Sequence, residues 1–124
     1  MVEIKFIDHI VVVVKDVSET AGFYSVFLGE PTFKDQDQVV FKIGETKLFF
    51  GLAYKDYKWH DKDHYGLNHL AFGLSRVEEL EALGERLNKA GIKNSGIQID
   101  KYSQKEFIWF DDPDGYRLEF YLAP

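Results

Sequence analysis

Lys47-Leu48-Phe49-Phe50-Gly51-Leu52-Ala53 and Arg117-Leu118-Glu119-Phe120-Tyr121-Leu122-Ala123 read as one strand written twice. Leu, Phe and Leu recur at alternate places in both, which is the period of a strand with one buried face. A second pair of segments, earlier in each copy, repeats in the same order. Asp8-His9-Ile10-Val11-Val12-Val13-Val14 aligns with Asn68-His69-Leu70-Ala71-Phe72-Gly73-Leu74. Two matched strands in the same order at two places in a short chain point to an internal duplication.

The segments between them repeat as well. A β-branched strand over Ile4 to Val14 precedes a helix whose face is Val17, Ala21, Tyr24 and Leu28, with Ser18 placed to cap its start and Gly29 to end it. Strands follow over Thr32 to Lys34, Val39 to Ile43 and Lys47 to Ala53. In the second half, Leu67 to Leu74 precedes Ser75-Arg76-Val77-Glu78, which has capping-box spacing, and a helix with the stripe Val77, Leu80, Leu83 and Leu87, stopping at Gly91. Strands over Gly96 to Asp100, Glu106 to Phe110 and Tyr116 to Leu122 complete it. The expectation is an α+β fold of two tandem βαβββ modules, about 4–53 and 67–123, whose curved sheets form an open barrel-like cavity. The modules are joined by a polar, aromatic-rich connector over about 54–66, and the whole of 1–124 is read as a single domain.

Bulk properties narrow the function. The 124 residues carry a formal charge of −6, with no Lys or Arg run that would track phosphates, so nucleic acid is not an expected partner. The absence of cysteine excludes disulfides, thiolate metal sites and a cysteine nucleophile. No stretch approaches transmembrane length, and Glu3 and Lys5 interrupt the N-terminal segment, so a cytoplasmic protein with no membrane partner is expected.

Strand parity then assembles a candidate site. His9 falls opposite Ile10, Val12 and Val14, while His69 shares its face with the small residues Ala71 and Gly73. Glu119 alternates with Leu118, Phe120 and Leu122, and a carboxylate buried on such a strand is costly unless it is paired or bound to metal. Two equivalent histidines are natural co-ligands. A set of two imidazoles and one carboxylate suits one divalent metal ion (Mn, Fe, Co, Ni or Zn) and leaves positions open for water or a small-molecule substrate. The competing reading pairs Glu119 with Arg117 or Lys47. The first-module place equivalent to Glu119 is held by Phe49, which cannot ligate.

These motifs, with Phe110-Asp111-Asp112-Pro113-Asp114-Gly115-Tyr116-Arg117-Leu118-Glu119-Phe120, resemble the vicinal oxygen chelate superfamily, which includes glyoxalase I, fosfomycin-resistance enzymes, extradiol dioxygenases and bleomycin-resistance proteins. The resemblance implies His9, His69 and Glu119 as metal ligands, with Glu119 the candidate catalytic residue. It also implies an enzyme of lyase, isomerase or dioxygenase type acting on a substrate that chelates the metal through adjacent oxygens. The alternatives are a metal-free drug-binding protein of bleomycin-resistance type and a fosfomycin-type thiol transferase. Phe49, where glyoxalase I-like members have a fourth ligand, departs from strict glyoxalase I activity. The chain's end at Pro124, without a basic extension, departs from the fosfomycin type.

Phe49, Tyr121, Trp109 and Tyr102 are expected to line the pocket. His60 and His64 read as solvated connector residues, and Tyr54, Tyr57, Trp59 and Tyr65 as interface or substrate-covering aromatics. Asp111, Asp112 and Asp114 read as turn formers around Pro113 and Gly115. Sheet edges and leftover apolar surface point to a homodimer.

Overall fold

A computed structural model describes residues 2–56 and 58–123, so Tyr57 and Pro124 lie outside the described residues. The chain divides into two compact units, Met1–Lys58 and Trp59–Pro124, with the boundary inside the connector.

The first unit runs β1 (His9–Val14), α1 (Val17–Leu28), β2 (Phe33–Lys34), β3 (Gln38–Ile43) and β4 (Thr46–Leu52). Its sheet has the order β1-β4-β3-β2, with β1 and β4 parallel and the other pairs antiparallel. The second unit repeats this with β5 (His69–Leu74), α2 (Val77–Lys89), β6 (Gln98–Ile99), β7 (Glu106–Asp111) and β8 (Arg117–Leu122), in the order β5-β8-β7-β6. The chain is thus two tandem βαβββ modules of the α+β class, hydrogen-bonded as two separate four-stranded sheets.

Each module has its own core because one helix covers one sheet face. In the first, α1 buries Val17, Ala21 and Tyr24, and the Tyr24 ring sits 4.2 Å from Phe50 and 6.2 Å from Phe41. In the second, Leu80, Leu83 and Leu87 of α2 are buried, as are Ile108, Phe110, Leu118 and Phe120 of the sheet. The alternate residues of the same strands face away from the helices, and those faces carry the chemistry.

Several boundaries differ from expectation. β1 starts at His9 rather than Ile4, because pairing with β4 begins at His9 opposite Lys47. The start of α1 is capped by Asp16, whose carboxylate accepts from the Glu19 N–H at 2.9 Å, and not by Ser18. The capping interaction of α2 is shifted by one residue: Glu79 accepts from the Arg76 N–H at 3.1 Å. Strands β2 and β6 shrink to two residues each. Gly29 closes α1 with φ of 80°, as its placement required. The Asp-rich turn is a turn: Asp112 Oδ1 accepts the N–H groups of Asp114 and Tyr116, both at 2.9 Å, and Gly115 takes φ of 85°.

Candidate metal centre

The site is built on the helix-free face of the second unit. Register places Ala71 opposite Glu119 and Glu119 opposite Trp109, with His69 opposite Arg117 and Gly73 opposite Tyr121 in the flanking rows. Residues directly opposite share a face, so His69, Glu119, Tyr121 and Trp109 lie on one surface. Glu119 is only 9% exposed, between the buried Leu118 and Phe120.

Hydrogen bonding fixes which nitrogen His69 presents. The Asn68 amide donates to the Lys62 carbonyl at 2.7 Å, which orients its oxygen toward His69 Nδ1, 2.8 Å away. That oxygen can only accept, so Nδ1 carries the proton and the neutral ring keeps a lone pair on Nε2. Nε2 faces Glu119 Oε1 at 3.4 Å. With Nε2 unprotonated the two atoms are a pair of acceptors that a cation between or beside them would satisfy, and with Nε2 protonated they are an ion pair.

The first unit shows the same device. Asp8 Oδ2 stands 2.8 Å from His9 Nδ1, and this hydrogen bond, with help from the charge of Lys47, holds the Asp8 carboxyl below its ordinary range. Asp8 therefore accepts, and His9 Nε2 is left as the free donor atom. Beside it, at the register place of Glu119, stands Phe49: Val11 pairs with Phe49 as Ala71 pairs with Glu119. The His9 and Phe49 rings meet edge-on at 5.6 Å. One unit thus offers an imidazole and a carboxylate, the other an imidazole alone. Among the described residues no three His, Asp or Glu side chains stand together as a closed cluster.

Arg117 does not neutralise Glu119. Its Nε lies 2.7 Å from Asp111 Oδ1, and its guanidinium sits 4.1 Å over the Trp109 ring. Burial, with the adjoining carboxylates of Glu119 and Asp100, pushes the Tyr121 hydroxyl up to about 12, so it remains a hydrogen-bond donor at neutral pH. The Tyr121 ring stacks on Phe107 at 4.8 Å. Trp109 and the largely exposed Tyr102 line an open groove of about 550 Å³ with Ser95 and Phe107.

In the connector, His64 is exposed and pairs with Asp61 at 3.2 Å. His60 is half-buried rather than solvated, its ring 4.6 Å from that of Tyr116. Tyr54, Trp59 and Tyr65 are exposed.

Sequence reading assigned no role to Asp8 and Asn68. The signal was present, since both copies place an oxygen-bearing side chain immediately before the histidine. Groups that orient a metal-binding histidine this way typically contribute about 10–100-fold in affinity. Asn68→Ala is accordingly expected to weaken metal binding by about tenfold without unfolding the protein, which competitive metal titration and circular dichroism would check together.

Comparison with known proteins agrees with the fold. Residues 6–120 match the family model of the Glyoxalase/Bleomycin resistance protein/Dioxygenase superfamily. The chain belongs to that superfamily, as its paired βαβββ modules require. It is 29% identical to the uncharacterized protein YaeR of Escherichia coli K12, covering 98% of both chains. It is 28% identical to the metallothiol transferase FosB of Lysinibacillus sphaericus, covering 97% of this chain and 84% of that protein. Among solved structures, a glyoxalase family protein from Enterococcus faecalis is 28% identical with a TM-score of 0.75, covering 94% of this chain and 97% of that one.

Proposed function

We propose that the chain is a metal-dependent enzyme in which His9, His69 and Glu119 hold one divalent ion, and that its substrate is a small molecule offering two adjacent oxygens to that ion. The observation that carries this reading is the facing of His69 Nε2 and Glu119 Oε1 at 3.4 Å, with the Nδ1 proton committed to Asn68. The donor types fit the ion: two imidazoles and one carboxylate leave coordination positions open, and the bound metal would act as a Lewis acid on the substrate oxygens. The protein's own part is to aim Nε2 of both histidines through Asp8 and Asn68, to keep Glu119 away from competing cations by giving Arg117 to Asp111, and to supply Tyr121 as a protonated donor beside Glu119.

Similarity to a metallothiol transferase favours a second reading of the reaction, transfer of a thiol to a metal-bound acceptor. Elemental analysis of protein purified without a metal-binding tag tests the site. One equivalent of divalent metal is expected in the wild type and a large loss in His69→Ala. Equal metal content in the two would overturn the assignment, and a metal-free wild type that binds a drug would favour the bleomycin-resistance type. Depletion of a thiol by the loaded protein in the presence of an epoxide separates the transferase reading from the others. We further propose that the protein works as a homodimer, with a dimer mass expected by light scattering at micromolar concentration and a monomer mass overturning it.

A further inference from the structure

The groove in the second unit is placed to select the substrate. Trp109 is the cross-strand partner of Glu119, Phe107 is that of Tyr121, and Gln98 of β6 is in turn the partner of Phe107. The groove therefore continues the face that bears Glu119, across β7 to β6, a reach of about 10 Å at two strand spacings. Its volume of about 550 Å³ is in the range of small-molecule sites.

The walls are aromatic and already held. Arg117, tied to Asp111, lies 4.1 Å over Trp109, and Tyr121 stacks on Phe107 at 4.8 Å, so neither ring must be ordered when a ligand arrives. Tyr102, from the turn after β6, adds a third ring, and Ile99 an aliphatic patch. Asp100 also lines the groove, its Oδ2 accepting from the Ser103 N–H at 2.7 Å and its carboxylate beside the Tyr121 hydroxyl. That carboxylate is an acceptor for a hydrogen-bond donor carried on a ring.

We infer that the groove formed by Tyr102, Phe107, Trp109 and Asp100 is a specificity subsite for a flat aromatic group, bearing a hydrogen-bond donor and linked by a short chain to the substrate's chelating oxygens. This deepens the metal-enzyme reading and rests on it for the position of the chelating end. A substrate of this class is elongated: oxygens at one end, a ring one to two strand spacings away.

The test uses the cobalt(II)-loaded protein and two probes, acetohydroxamate and a phenyl-capped alkyl hydroxamate, titrated by calorimetry. The phenyl-capped probe should bind about tenfold or more tightly than acetohydroxamate, consistent with burial and stacking of one ring. A cyclohexyl-capped analogue should gain less. Trp109→Ala and, separately, Tyr102→Ala at an exposed turn should reduce the advantage severalfold, and Tyr102→Ala should do so with acetohydroxamate binding and cobalt content unchanged. Equal affinity of the probes in the wild type, or an advantage that survives both substitutions, would overturn the subsite. If the protein takes up no cobalt, the metal reading fails, and the groove is then tested alone: phenethylammonium titrated against Trp109 fluorescence in a Trp59→Phe background should saturate, and do so more weakly in Tyr102→Ala. Absence of saturation there would overturn the subsite as well.

Discussion

Glu119→Gln is expected to lower metal affinity by on the order of a hundredfold or more, and at the same time to raise the melting temperature of the metal-free protein by a few degrees. The opposite signs follow from one fact. The Glu119 side chain is 11% exposed on a strand whose other helix-distal neighbours give it no cation, since Arg117 is engaged by Asp111 at 2.7 Å. Without metal, its charge is buried with no Lys or Arg held against it in its own sheet, so the uncharged Gln is expected to be the less costly side chain to bury. With metal, the same charge is the strongest attraction the site offers. Gln keeps the shape and an oxygen that can accept from Tyr121, so packing is preserved. Thermal melts with and without added metal would check both signs at once: a stabilised metal-free variant whose melting point no longer responds to metal is the expected result. Destabilisation of the metal-free variant would show instead that Glu119 is part of a structural ion pair.

Phe49→Glu should act in the other direction. Phe49 occupies in the first unit the register place that Glu119 occupies in the second, and its ring lies 5.6 Å from that of His9. A carboxylate there would add a fourth donor next to His9, and a carboxylate ligand of this type should raise metal affinity by about tenfold or more. It would also fill one of the positions that a two-oxygen ligand needs. Hydroxamate binding to the loaded variant should therefore fall by a comparable factor while its metal affinity rises. Calorimetric titration of metal, then of acetohydroxamate, into both proteins reads the two changes separately. No change in either quantity for a folded variant would place Phe49 outside the coordination sphere.

Much of this was legible in the residues because strand parity is a strict code. The alternation of Leu118, Phe120 and Leu122 with Arg117, Glu119 and Tyr121 assigns each side chain a face, and the burial of Leu118 and Phe120 follows it. What pairing decides was less legible. Val2, Ile4, Phe6 and Ile7 look like strand residues, yet they are exposed and precede β1, because β4 supplies no partner before Lys47. Helix starts moved by a residue or two because Asp16 and Ser18 are both competent caps and local geometry selects between them.

Within the site, the faces of His69, Glu119, Trp109 and Tyr121 were readable, whereas the partners of Arg117 were not. A guanidinium between two carboxylates in sequence, Asp111 and Glu119, can reach either, and only the turn brings Asp111 within 2.7 Å. Asp100 was hidden for a similar reason. Its place depends on the hydrogen-bonded turn over 100–104, where Gln104 takes φ of 62°, and not on any strand pattern.

The two kinds of donor are anchored to different degrees. Within their sheets, β1 and β5 are hydrogen-bonded to a neighbour on one side only, whereas β8 is flanked by both β5 and β7. On the proposed metal reading, each histidine rides on a strand paired on one side within its own sheet, while the carboxylate is held in the middle of a ladder. A centrally held anion with imidazoles on outer strands would then suit ions of different radius, leaving the choice of metal to supply as much as to the protein.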